Sequence, residues 1–331
     1  MPEKEINKDQ LKKGMYVILD SSWFSHPFLT NEFKIESEEQ IQKFDDLEVN
    51  TIKIDPDKSD VTLPLKQEDK SDDRTEIETP DDWNPEKLIS EDFKKVIHDQ
   101  NMDPDKKAEA VYESSVGIME NLLDNPSSEN IEEFREGAAD IVDMLLEEDA
   151  TSHYLLNITS HDYYTYIHSV NVGVYSILLT KALFGDSSNH DLEKLGAGFF
   201  LHDIGKTRVD QDIINKRGKL TDEEYRKMKT HPYQGYKILS ETEQLDKENE
   251  VIVMQHHERY DGTGYPRQLS GDQIHLYGKI CCIADVFDAL TAKRPYKEPL
   301  SSFEALKLMK NEMLDHFQED MFEKFVLLFK E

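Results

Sequence analysis

His202 and Asp203 stand side by side in the run LHDIGKTRV, just after an apolar stretch of Leu195, Ala197, Phe199, Phe200 and Leu201. Burying an imidazole and a carboxylate together is costly unless something pairs with both. The chain also carries His168, His231, the vicinal pair His256 and His257, and Asp285, so seven imidazole and carboxylate side chains are at hand, enough for two metal ions. This donor set suits iron, manganese, zinc or nickel, and its lack of thiolates disfavours a purely structural zinc site. Asp203 can bridge two ions, with a hydroxide as the second bridge. Metal binding lowers the pKa of water from about 15.7 toward about 7, and two ions can clamp a phosphate for in-line attack. Lys206, Arg294 and Lys297 are the cations expected around that phosphate. Taken singly, each histidine reads as a packing residue. His26, His98, His153, His161, His190, His275 and His316 lack such company and are left as packing or surface residues.

The elements that must position this set are mainly helical. Residue 163 to Phe184 reads as one helix carrying His168, and 191–204 as the next, ending in the His-Asp pair. Thr221 and Glu224 form a capping box, His231-Pro232 opens a helix, 250–257 ends in His-His, and 277–292 carries Asp285 and Asp288. His256 and His257 lie about 100° apart on a helix, so both reach one ion only if the helix ends there. Ser301 and Glu304 make a second capping box before two short terminal helices.

Upstream, residues 1–56 read as a small mostly-β domain, with strand-like runs at Gly14–Leu19, around Phe33 and Ile35, and at 50–54. Trp23, Phe24, Pro27 and Phe28 would supply its core. Residues 57–83 are acidic and poor in apolar side chains, which marks a linker. Residues 84–139 form a helical connector; its apolar stripes (Ile118, Met119, Leu122, Leu123, then Ile131, Phe134 and beyond) suit packing on the next domain or on a second subunit. The fold class is therefore α+β overall, with an all-α domain over 140–331.

The formal net charge of −30 across 331 residues argues against general binding to nucleic acid or to an anionic membrane. No apolar run is read as reaching the roughly 20 residues that span a bilayer, and no apolar signal region opens the chain. Cys281 and Cys282 are read as buried free thiols in a reducing cytoplasm.

The ordered strings His168-Ser169, HDIGK at 202–206, His231-Pro232, HHERYDGTGYP at 256–266 and ADVFDALTAKRPY at 284–296 resemble the HD-GYP family. This is a subset of the HD metal-dependent phosphohydrolases, and the likeness spans about residues 140–331. It implies an HD-type helical domain, a multi-metal centre that often holds iron, and hydrolysis of cyclic di-GMP to pGpG and GMP. By position, one metal site resembles His168, His202, Asp203 and Asp285; the other shares Asp203 with His231, His256 and His257. Asp203 and Lys206 then carry the catalysis. Lys206, Tyr265, Arg294 and Lys297 match positions that hold the dinucleotide.

Gly264-Tyr265-Pro266 is the signature loop; it also reads as a plain turn after Asp261-Gly262, and the family adds a contact for GGDEF domains. A three-metal subset carries glutamate where this chain has Tyr164, so two ions are expected, iron with manganese as the alternative. The stretch GMYVILDSSWFSHPFL resembles the small domain of unknown function that often precedes HD-GYP. A homodimer through the connecting helices goes with this reading. The competing readings are hydrolysis of a related cyclic dinucleotide such as cyclic GMP-AMP, and a signalling adaptor that binds the nucleotide or a GGDEF domain without turnover.

Overall fold

The computed structural model describes residues 4–8, 11–19, 32–35, 37, 40–41, 43–44, 51–56, 58–59, 87–158, 164–185, 190–216, 218–293 and 299–330. They fall into two units, one within residues 1–78 and one within 79–331.

In the first unit, strands β1 (Lys4–Asn7), β2 (Tyr16–Ile18), β3 (Glu32–Lys34) and β4 (Thr51–Asp55) form an antiparallel sheet in the order β1-β4-β2-β3. The register sets Ile6 opposite Ile52, Val17 opposite Ile54, and Val17 opposite Phe33. Side chains alternate along a strand, so Ile52 and Ile54 turn to the same buried face. Ile6, Leu11, Met15, Val17, Ile35 and Phe44 complete that core. Strand β1 is an addition to the sequence reading. Trp23, Phe24, His26, Pro27 and Phe28 lie outside the described residues.

The second unit is helical. Its described helices begin with α1 (Glu91–His98), α2 (Pro104–Asp124), α3 (Ser128–Glu147), α4 (Asp149–Ile158), α5 (Thr165–Phe184) and α6 (Leu192–Phe200). A 3-10 segment (Ile204–Arg208) leads to α7 (Gln211–Ile214), α8 (Asp222–Met228), α9 (His231–Glu241) and α10 (Lys247–Gln255). The last are α11 (Leu276–Thr291), α12 (Ser302–Glu312) and α13 (Glu319–Leu327). Start signals in the sequence work as caps: Ser127 accepts from Asn130 N, and Thr221 and Ser301 form capping boxes with Glu224 and Glu304.

Helix α5 is the axis of this unit and packs against α2, α6, α11 and α13. It is buried nearly all round, as expected of a helix apolar on every side. At 20 residues it is long and apolar enough to cross a bilayer, which the sequence reading missed, yet 78% of its apolar window is buried within the protein. The stripes of α2 and α3 join the same core: Met119, Leu122, Ile131 and Val142 cluster with Phe200, Ile252 and Phe287.

Candidate metal centre

Helix α6 ends at Phe200 and not at 204 as expected, so His202 and Asp203 occupy a turn. The reason is local. His202 Nδ1 donates to Phe199 O at 2.8 Å, the carbonyl that a continuing helix would offer to Asp203 N–H. The chain then tightens into 3-10 form, with Ile204 N donating to Leu201 O and Lys206 N to Asp203 O. The same device recurs. His231 Nδ1 donates to Met228 O at 2.8 Å, and His256 Nδ1 to Val253 O at 2.9 Å, each three residues back. Helix α10 stops at Gln255, and His257 falls in the turn beyond it.

These bonds fix the chemistry of the rings. A carbonyl only accepts, so each Nδ1 carries the proton and each Nε2 presents a lone pair inward. His168 points the same way, because its Nδ1 meets Asp288 Oδ2 at 2.6 Å. His231 Nε2 stands 3.1 Å from His256 Nε2, and His168 Nε2 3.3 Å from His202 Nε2. Between His231 and His256, two bare lone pairs at that distance repel unless a cation lies between them; a proton on His168 Nε2, or a cation in its place, relieves the same repulsion between His168 and His202. Donors at right angles around one ion, each about 2.1 Å from it, stand about 3.0 Å apart. The donor atoms form two groups, Asp203 with His231, His256 and His257, and His168 with His202 and Asp285, each within 4.8 Å.

Asp203 lies between the groups. Its Oδ2 is 3.3 Å from His168 Nε2 and 3.4 Å from His202 Nε2, while Oδ1 is 3.2 Å from His231 Nε2. Oδ1 is buried and accepts no hydrogen bond, an arrangement that an ion would complete. Asp285 Oδ1 meets His168 Nε2 at 3.1 Å, and its Oδ2 meets His257 Nδ1 at 3.3 Å. Lys206 Nζ pairs with Asp203 Oδ2.

Burial pushes the Asp203 carboxyl up, but Lys206, His202 and a bond from His168 together hold it well below the usual carboxylate range. Burial likewise opposes ionisation of Asp285, and His257 and His168 override it. Burial drives His231 well down, aided by His257 and His256, and lowers His257 as well. His168 resists burial and titrates well above the ordinary range, because Asp203, Asp285 and Asp288 surround it. A divalent cation meets the same field of three carboxylates. The residues present therefore fit divalent metal ions.

Two glycines allow the approach. A Cβ on Gly205 would lie 2.0 Å from His231 O and 2.3 Å from Gly235 N, so the 3-10 segment and α9 touch backbone to backbone. Gly205→Ala should lower stability by about 3 kcal/mol, a melting temperature lower by about 6–12 °C, read by calorimetry. An unchanged melting temperature would show that the two segments part freely. A Cβ on Gly264 would meet Arg259 N at 2.4 Å and Glu258 Cα at 2.6 Å.

The signature loop lies beside the centre. The Tyr265 ring sits 4.6 Å from that of His257 and edge-on to His231 at 6.2 Å, and burial pushes its hydroxyl pKa up. Arg294 and Lys297 lie outside the described residues.

Sequence reasoning missed three supports. Asp288, one helical turn beyond Asp285, holds His168, and Asn171 Nδ2 donates to its other oxygen at 2.7 Å. The i, i+3 spacing of the two aspartates was the available signal. Glu258 is 1% exposed and accepts from Arg267 N at 2.7 Å and Leu269 N at 2.9 Å, closing the signature loop. Glu258→Gln turns one acceptor into a donor facing an N–H, a loss of about 2–3 kcal/mol. Amide exchange at Arg267 and Leu269 should quicken roughly 30- to 150-fold; unchanged protection would refute the staple.

A helical domain whose helices and turns gather five histidines and two aspartates into two donor groups has the layout of an HD-type phosphohydrolase. The HD domain family matches residues 175–321, and a domain of unknown function, DUF3391, matches residues 3–135. The chain is 31% identical to the cyclic di-GMP phosphodiesterase PA4108 of Pseudomonas aeruginosa over 329 residues, 98% of this chain and 76% of that protein. It is 39% identical to the 3'3'-cGAMP-specific phosphodiesterase 3 of Vibrio cholerae over 150 residues, 45% of this chain and 32% of that protein. Among solved structures, Bd1817, an HDG"Y"P protein from Bdellovibrio bacteriovorus, superposes with a TM-score of 0.63 at 17% identity, covering 100% of both chains. That likeness is one of fold. The chain belongs to the HD-GYP family of HD phosphohydrolases and carries the DUF3391 domain ahead of its HD domain.

Proposed function

We propose that this protein is a metal-dependent phosphodiesterase that hydrolyses cyclic di-GMP to pGpG and GMP. The carrying observation is the pair of Nε2–Nε2 approaches at 3.1 and 3.3 Å around the orphaned oxygen of Asp203. Bound there, divalent ions supply a nucleophile at neutral pH and offset phosphate charge. The protein's part is to hold four imidazoles with Nε2 inward, to set His257 and the two aspartates beside them, and to place Lys206 against the phosphate. Tyr265 gives the dinucleotide an aromatic face beside His257, and we assign Arg294 and Lys297 to its phosphates.

Two donor groups support two ions, iron first and manganese as the alternative; a content near three per chain would contradict this. The full-length match is to a cyclic di-GMP phosphodiesterase, whereas the cGAMP-specific relative matches over 45% of the chain, which favours cyclic di-GMP. The complete donor set argues against an adaptor without turnover. The buried free thiols of Cys281 and Cys282 accord with a cytoplasmic setting. Burial pushes the Cys282 thiol pKa up to about 12, so it stays protonated.

The test is chromatography of products after anaerobic loading with iron or manganese. Cyclic di-GMP should give pGpG and GMP faster than cyclic GMP-AMP is consumed. The reverse order would reassign the substrate. Binding without product from either would favour the adaptor.

A further inference from the structure

The buried support of His168 does not stop at Asp288. Asp288 accepts from Asn171 Nδ2, and Tyr112 OH lies 2.8 Å from Asn171 Oδ1. The donors and acceptors can be assigned without ambiguity. A carboxylate only accepts, so Asn171 must turn its NH2 toward Asp288 and its oxygen toward Tyr112, whose hydroxyl therefore donates. Tyr112 is 8% exposed, and Asn171 and Asp288 are 1% and 2% exposed. The chain of bonds thus runs Tyr112, Asn171, Asp288, His168 through a buried interior, where each bond is stronger than in water.

Its far end lies on a different element. Asn171 and His168 belong to α5 and Asp288 to α11, but Tyr112 belongs to α2. Helix α2 lies inside the stretch that matches the DUF3391 domain, residues 3–135, and outside the HD match. We infer that Tyr112 is a positioning residue through which α2 sets the hold of His168 on its metal ion. The inference rests on the metal-centre reading above. Outer partners of a metal-bound histidine fix its ring and its tautomer, and their loss weakens metal affinity about 10- to 100-fold. A shift of α2 that lengthens the Tyr112 bond would act in the same direction, which gives the DUF3391 region a route to the centre.

The experiment uses the full chain, stripped with chelator and titrated with Mn2+ by calorimetry, alongside kcat at saturating Mn2+. Tyr112→Phe should bind Mn2+ about tenfold more weakly in the group that holds His168, with kcat at saturation close to that of the unaltered protein. Ser115→Ala is the control, since Ser115 loses a buried hydroxyl bond on the same helix (to Val111 O) away from this chain of bonds. It should bind Mn2+ normally. Asn171→Ser should match or exceed Tyr112→Phe, and the double variant should be no worse than Asn171→Ser alone. Equal Mn2+ affinity in Tyr112→Phe and the unaltered protein, or additive losses in the double variant, would overturn the inference. Failure of the unaltered protein to bind Mn2+ would instead overturn the metal-centre reading.

Discussion

Asp203→Ala is expected to lose metal from both donor groups and to lower kcat/KM by at least about 10³-fold, since the ions supply several kcal/mol of transition-state stabilisation. Asp203 divides its two oxygens between the groups, with Oδ2 toward His168 and His202 and Oδ1 toward His231 and His256. Without it, His231 and His256 face each other at 3.1 Å with no carboxylate between them. Two readings separate this from general damage: metal content by elemental analysis, and the melting temperature of the metal-free protein. Metal-free Asp203→Ala should melt lower than the metal-free unaltered chain, because it leaves Lys206 and His168 without the carboxylate that pairs them, yet it should keep one cooperative transition. Retained metal with retained turnover would remove Asp203 from the mechanism.

Lys206→Met is expected to lower kcat about 10²- to 10³-fold while keeping its metal. In the metal-free arrangement Lys206 Nζ pairs with Asp203 Oδ2. Divalent ions held at Asp203 would repel that ammonium, leaving Lys206 to meet a substrate phosphate. Removing Lys206 takes away a like charge, so Mn2+ affinity should rise or hold, opposite in sign to the loss in Asp203→Ala. Calorimetric Mn2+ titration and initial rates distinguish the two roles. If Lys206→Met loses metal and activity together, the lysine supports the donor cluster and does not act on the substrate.

The seven side chains stood out as an ensemble and by the family resemblance, since each alone reads as a packing residue, and the structure brings them into two groups. Helix starts were legible for a local reason, as Thr221, Ser301 and Pro232 act within one turn of themselves. Helix ends were not. The stop after Phe200 depends on a ring nitrogen taking a backbone carbonyl, and apolar periodicity runs on past it. Glu258, Asp288, Asn171 and Tyr112 were hidden for a different reason: their roles come from partners 9 to 120 residues away. Gly205 and Gly235 read as ordinary glycines until the backbones of two segments are seen to touch. Tyr164 was read against a family pattern, and the structure places it at the cap of α5, one turn before His168.

The most direct measurement is activity against metal equivalents. The chelator-stripped protein would be titrated anaerobically with Fe2+ or Mn2+, and pGpG formation from cyclic di-GMP followed at each step. Activity should rise to a plateau at two equivalents per chain and stay absent in Asp203→Ala. Full turnover in metal-free protein, or two bound ions with no product from cyclic di-GMP, would contradict the account.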